Sequence, residues 1–197
     1  MTKSKVATKA GKAKKIVILL GSPRREGNSA ALAERIAEGA AGAEVEVFYL
    51  HGMKIAPCNA CEGCHKPGAK GCVIKDDMQR LYPPMTEADA IVFASPIYWF
   101  TVSAQMKLAM DRCYALIRPD GHAFRGKRIG LAFSYGGEDP FDAGCVNAIR
   151  MFQDAFGYIG AEIVGMVYGS ASGAGDIRSN QKAMDEAKEL GRKLAAE

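Results

Sequence analysis

The sequence predicts an α/β protein, a five-stranded parallel sheet wound in both directions with helices on both faces. Two observations carry that prediction. Short segments rich in Ile, Val and Phe alternate five times with longer segments of helical spacing, and parallel neighbours need crossover helices that must lie on the faces of the sheet. The chain of 197 residues, 48% of them hydrophobic, suffices for one domain with one buried core.

The strands are expected at Ile16 to Leu20, Val45 to Leu50, Ala90 to Ser95, Ile129 to Ser134 and Glu162 to Tyr168. Each is bounded by Gly, Pro or polar residues. The helices are expected at Asn28 to Ala41, Asp77 to Ala88, Val102 to Ile117, Asp142 to Gly157 and Ser179 to Ala196, with Leu32, Ile36 and Ala40 sharing one face of the first. Five such units in under 200 residues suit a flavodoxin-like doubly wound fold with strand order 2-1-3-4-5. The domain is set at residues 15–197, with a cysteine-rich loop at 53–75.

Net charge is +4, but six lysines between Lys3 and Lys15 have no acid among them and leave 20 basic against 22 acidic side chains in the rest. The basicity belongs to a tail, expected to be disordered over residues 1–14. No basic stripe remains on the domain, so nucleic-acid binding is not expected. The aliphatic run Ile16 to Leu20 is far too short for a membrane span or a secretory core. The protein is therefore expected in the cytoplasm, without a membrane partner.

Function is signalled first by the loop Gly21-Ser22-Pro23-Arg24-Arg25-Glu26-Gly27-Asn28-Ser29 between the first strand and its helix. Helix N–H groups, the hydroxyls of Ser22 and Ser29 and the guanidinium of Arg24 converge there on an anion. The loop has neither the Lys of a Walker A motif nor G-x-G-x-x-G, which disfavours ATP and a Rossmann-bound dinucleotide. In the predicted topology it borders the switch point of the sheet, where ligands bind. Ser95-Pro96-Ile97-Tyr98-Trp99-Phe100 and Ser134-Tyr135-Gly136-Gly137 leave the third and fourth strands at the same crevice. Together they suit a flat aromatic ligand carrying a phosphate.

The run Gly21-Ser22-Pro23-Arg24-x-x-Gly27-Asn28-Ser29, then Asp76-Asp77-Met78, then Ser95-Pro96-x-Tyr98 with Lys107 and Asp111-Arg112, resembles the NADPH-dependent FMN reductase family over nearly the whole folded chain. The resemblance implies FMN, its phosphate held by Ser22, Arg24, Asn28 and Ser29 and its ring lying against Pro96, Ile97, Tyr98, Trp99 and Phe100 and against Ser134, Tyr135, Gly136 and Gly137. It implies an oxidoreductase whose chemistry is the flavin's, with NAD(P)H as a donor. It gives Lys107 and Asp111-Arg112 roles in packing, capping and subunit contact.

Cys58-x-x-Cys61-x-x-Cys64 followed by Cys72 is the strongest local signal. In a cytosolic chain this spacing argues for metal or redox chemistry over a disulfide framework, and leaves open a [4Fe-4S] cluster, a structural zinc or metal-free thiols. The pattern resembles the iron-sulfur flavoproteins of the same family, which implies a [4Fe-4S] cluster near FMN, commonly at a subunit interface. A cluster would couple the flavin to a ferredoxin-like or small-molecule partner; without it the chain would be a plain NAD(P)H-dependent FMN or quinone reductase, or a flavodoxin-like carrier. A homodimer or homotetramer is expected. His65 is read as solvated, Cys113 and Cys145 as small core residues, Asp76 as a helix cap and Asp77 as a dipole partner.

Overall fold

A computed structural model of the chain describes residues 12–196. The first eleven residues of the expected tail lie outside these described residues. By Lys14 the chain is already tied down, its carbonyl accepting from Glu44 N at 2.8 Å.

Five long strands, β1 (Lys15–Leu20), β2 (Glu44–Tyr49), β3 (Ala90–Tyr98), β4 (Arg128–Tyr135) and β5 (Glu162–Ser170), form a parallel sheet in the order 2-1-3-4-5. Between and after them run α1 (Asn28–Gly39), α2 (Met78–Glu87), α3 (Ala104–Arg112), α4 (Cys145–Ile159) and α5 (Gln181–Ala195). Alternation along each strand divides the core in two. Ile16, Ile18, Leu20, Val92 and Ala94 pack on α1 and α5; Val17, Leu19, Ile91, Phe93, Leu131 and Phe133 pack on α2, α3 and α4.

Register decides where the site falls. Leu20 pairs with both Tyr49 and Ala94, Pro96 with Ser134, and Ser134 with Gly169, so the loops after four strands open along one edge. Behind that edge α1 and α5 touch backbone to backbone, since a Cβ on Gly39 would stand 2.0 Å from Lys188 O and one on Gly191 2.0 Å from Ile36 O. That contact explains a glycine in the interior of α5, where it otherwise weakens a helix by about 1 kcal/mol.

The boundaries differ from expectation by three residues or more in three places. β3 runs on to Tyr98, and Thr101–Val102 turns back as a two-residue antiparallel strand that adds a sixth member to the sheet. The third helix accordingly begins at Ala104, where Ser103 Oγ accepts from Met106 N, and after Arg112 it tightens into a 3-10 turn at Cys113–Leu116. The fourth helix starts at Cys145 and not at Asp142, because Gly144 holds φ at 78°, outside helical space.

Candidate functional site

The loop after β1 is folded by its own serine. Ser22 Oγ accepts from Arg24 N at 3.0 Å and donates to Arg24 O at 3.0 Å, and Gly27 fits only because a Cβ there would crowd Ser22 Oγ at 3.0 Å and Arg24 O at 3.1 Å. The tight turn delivers the N-terminus of α1 into the crevice with no side chain capping its first turn. Its orphan N–H groups and dipole favour an anion. Ser29 Oγ is buried there and has no hydrogen-bond partner. A buried hydroxyl without a protein partner is completed by a water or by a ligand oxygen.

A second network locks this loop to the end of β3. Gly21 N donates to Ala94 O at 2.8 Å, Ser103 Oγ to Gly21 O at 2.7 Å, and Ser103 N to Ser95 Oγ at 3.1 Å. The crevice so framed has a volume of about 320 Å³ and is lined by Ser22, Arg24, Asn28, Ser29, Pro96, Ile97, Tyr98, Ser134, Tyr135 and Gly136. The structure thus brings ten of the expected FMN residues together. These residues fit FMN: an anion cradle at one end, and small and aromatic groups at the other.

Three expected residues do not line the crevice. Trp99 and Phe100 form the two-residue tip of the β3 hairpin, both left-handed, with φ of 48° and 67°, and Trp99 stands 93% exposed. Bulky side chains rarely occupy such a turn, which favours Asn-Gly. Neighbours hold it: Asn147 Nδ2 donates to Phe100 O at 3.1 Å, and Gly144 lies so near that a Cβ would meet Phe100 Cα at 2.4 Å. Gly137 lies beyond the rim, its carbonyl taken by Ser170 Oγ. Asn28 lines the crevice, yet its side chain is engaged elsewhere, donating to Gly173 O at 2.8 Å and accepting from Ile177 N at 3.2 Å. Only its backbone remains for an anion. Sequence reasoning missed Ala171 and Ser172, which complete the lining from the end of β5. The small-residue run after a fifth strand was their signal.

The cysteine loop is built differently. Apart from short 3-10 turns at Leu50–Gly52 and Gly63–His65, it has no helix or strand between Leu50 and Asp77. Ala60 and Glu62 take φ of 52° and 54°, curling the two C-x-x-C steps. Cys58, Cys61, Cys64 and Cys72 all line one small cavity, walled also by Ile74, Ala115, Tyr114 and Arg112. A set of four thiols on an apolar-walled cavity fits the donors that an iron-sulfur cluster takes. Among the described residues no three His, Cys, Asp or Glu side chains stand close enough to hold an ion, and Cys58 and Cys61 are exposed.

Two pins fix the neck of the loop. Gln79 Nε2 donates to Cys72 O at 3.0 Å and Ile74 O at 2.7 Å. Arg112, taken from sequence for packing or subunit contact, points inward with its side chain fully buried and pairs with Asp76 at 2.6 Å. Asp76 Oδ1 accepts from Met78 N at 3.1 Å as expected of a cap, while Asp77 accepts from Lys54 N at 2.8 Å. Burial pushes the Asp76 carboxyl up, but Arg112 and the N–H groups of Ala56 and Met78 outweigh it and hold it below the usual carboxylate range. For Cys72 burial is likewise outweighed, by Ile74 N–H, the Tyr82 hydroxyl and Arg112, leaving that thiol lowered. Burial dominates at Cys64 and raises it.

The remaining thiols behave as core groups. Cys145 is buried and pushed up to about 12 by burial, and Cys113 also to about 12 by the same cause. His65 is not simply solvated: its ring packs edge-on against Tyr114 at 4.5 Å.

Comparison with known proteins agrees with this geometry. The sequence profile described as NADPH-dependent FMN reductase matches residues 14–176. The chain belongs to that family of flavin oxidoreductases. An iron-sulfur flavoprotein of Methanocaldococcus jannaschii is 31% identical over 191 residues, covering 92% of this chain and 95% of the relative. Another, from Archaeoglobus fulgidus, is 44% identical over 124 residues, covering 62% of each chain. Among solved structures, an NAD(P)H:quinone oxidoreductase from Methanothermobacter marburgensis has a TM-score of 0.68 at 18% identity, covering 94% of this chain and 99% of that one. At that identity it speaks for the fold. Among the described residues no helix is long and apolar enough to cross a membrane.

Proposed function

We propose that the chain binds FMN in the crevice, takes electrons from NAD(P)H, and passes them on singly through a [4Fe-4S] cluster held by Cys58, Cys61, Cys64 and Cys72. The observation that carries the flavin is the buried, unpartnered Ser29 hydroxyl at the foot of an uncapped helix. FMN accepts a hydride and can release its electrons one at a time, which is the chemistry the cluster would relay. Ser29 and the first N–H groups of α1 would receive the phosphate, in a turn that Ser22 closes on Arg24, with the Arg24 guanidinium beside it. Pro96 to Tyr98 and Ser134 to Gly136 give the ring a flat wall and exclude water from one face.

The cluster is supported by four cysteines around one cavity and by the likeness to the iron-sulfur flavoprotein of Methanocaldococcus jannaschii, which covers most of the chain. A cluster-free NAD(P)H-dependent FMN or quinone reductase is the second reading, favoured by the exposure of Cys58 and Cys61. A homodimer or homotetramer belongs to the same proposal: Tyr158, Tyr114 and Ile117 are exposed around an apolar hollow of about 210 Å³. A ferredoxin-like protein or a small acceptor is the electron partner.

Protein purified without oxygen and reconstituted with iron and sulfide is expected to carry one FMN and about four irons per chain, with flavin bands and a broad cluster shoulder, and to oxidise NADH or NADPH. Flavin without iron would install the cluster-free reading. Flavin without nicotinamide oxidation would leave a carrier. Arg24→Ala is expected to weaken FMN by about 1.5 to 3 kcal/mol and spare riboflavin; equal losses for both would remove Arg24 from the phosphate.

A further inference from the structure

We propose that Arg112 sets the reduction potential of the cluster, by donating a buried N–H to the sulfur of its Cys72 ligand; the proposal rests on the cluster reading above. Arg112 is the last residue of α3, and its side chain has no exposure to solvent. A guanidinium carries five N–H donors in a rigid fork. Nη1 donates to Ala56 O at 2.9 Å and to Asp76 Oδ2 at 2.6 Å, and Nη2 to Asp76 Oδ1 at 3.1 Å and to Cys72 Sγ at 3.4 Å. The fifth donor, on Nε, is buried with no partner.

The rivet leaves one N–H of the fork unused, and one of the four in use is spent on a cysteine sulfur. Arg112 joins the two ends of the loop, at Ala56 and at Cys72 and Asp76, which accounts for four N–H groups. The same side chain lines the cavity of the four cysteines, so the unused donor belongs to a group at the wall where cluster sulfur would sit. Hydrogen bonds to cluster and cysteine sulfurs are among the factors that set iron-sulfur potentials. Asp76 neutralises the guanidinium as a whole. The influence on the cluster therefore comes from N–H dipoles pointed at sulfur and not from net charge.

The direction follows. One-electron reduction adds one negative charge, which spreads onto the sulfurs; no bond breaks and no proton moves, and in the test the electron comes from dithionite. N–H groups aimed at sulfur stabilise the reduced form more than the oxidised one, so Arg112 raises the potential.

The experiment is a dithionite titration, followed by the cluster's spin signal, of reconstituted wild type, Arg112→Lys and Arg112→Gln, with FMN absorbance read in the same samples. Both variants are expected to shift the one-electron equilibrium about tenfold toward the oxidised cluster, about 59 mV more negative, on the scale of one lost charge-assisted hydrogen bond. FMN potentials should not move. A variant that holds four irons at the wild-type potential overturns the proposal. So does loss of iron from both variants while wild type loads, which makes Arg112 a rivet only. Wild type that takes up no iron overturns the cluster reading itself, a result distinct from either.

Discussion

The flavin crevice and the cysteine loop lie on the same face of the chain's topology but are held by opposite means. The crevice is made of strand ends whose register is fixed by the sheet, and its loops are cross-tied by Gly21, Ser95 and Ser103. The loop between Met53 and Lys75 hangs from a neck, pinned by Arg112, Asp76 and Gln79, with Cys58 and Cys61 in solvent. A sheet edge is preorganised because its hydrogen bonds are made whether or not ligand is present. A loop without a ladder has no such framework and rests on the few side chains that pin its neck.

The sharpest way to break this comparison is Cys61→Ala, which is expected to abolish iron binding while FMN stays bound, because a three-thiolate remnant is labile and the crevice shares no residue with the loop. Iron and flavin assays on one sample read both; loss of flavin with the iron would couple the two regions. Next in size is Gly144→Ala. Its Cβ would strike Phe100 Cα at 2.4 Å, and φ is positive, so overpacking is expected to remove about 1 to 3 kcal/mol of stability. Chemical denaturation reads the stability, and a displaced hairpin should also weaken FMN while leaving the loop's iron content unchanged.

Ser29→Ala should act with opposite signs in the two states. Without FMN it removes a buried hydroxyl lacking a partner and is expected to stabilise the apoprotein by about 1 kcal/mol; with FMN it deletes a phosphate contact and weakens binding by about 1.5 to 3 kcal/mol. A destabilised apoprotein would mean that the hydroxyl has a protein partner. The smallest effect concerns pH. Because the folded Asp76 carboxyl titrates below its unfolded value of about 3.9, its pairing stabilises the fold fully above that pH and is lost as pH falls through the lower, folded value. Urea midpoints of metal-free protein should therefore decline on the acid side. Asp76→Asn should lack that increment of slope, and identical slopes would take Asp76 out of the neck.

The alternation of periods made the five strands, five helices and their order legible, since burial on both faces writes itself into β1, β3 and β4 as nearly unbroken apolar runs. The loop after β1 and the cysteine run were legible as patterns because each lies within one short stretch, Gly21 to Ser29 and Cys58 to Cys72. Three things were not. That Asn28 holds the loop at Gly173 and Ile177 depends on a partner 145 residues away. That Trp99 and Phe100 turn outward depends on Thr101 and Val102 pairing back onto Ile97 and Tyr98, a register that aromatic composition does not reveal. And Arg112, expected from sequence to pack, cap or touch another subunit, is shown as the pin of the loop's neck only where α3 packs against it. Local spacing determined which chemistry the chain carries, because the sequence itself fixes neighbours within a turn or a strand. Which buried donor meets which acceptor was decided only when segments far apart in the chain were folded together.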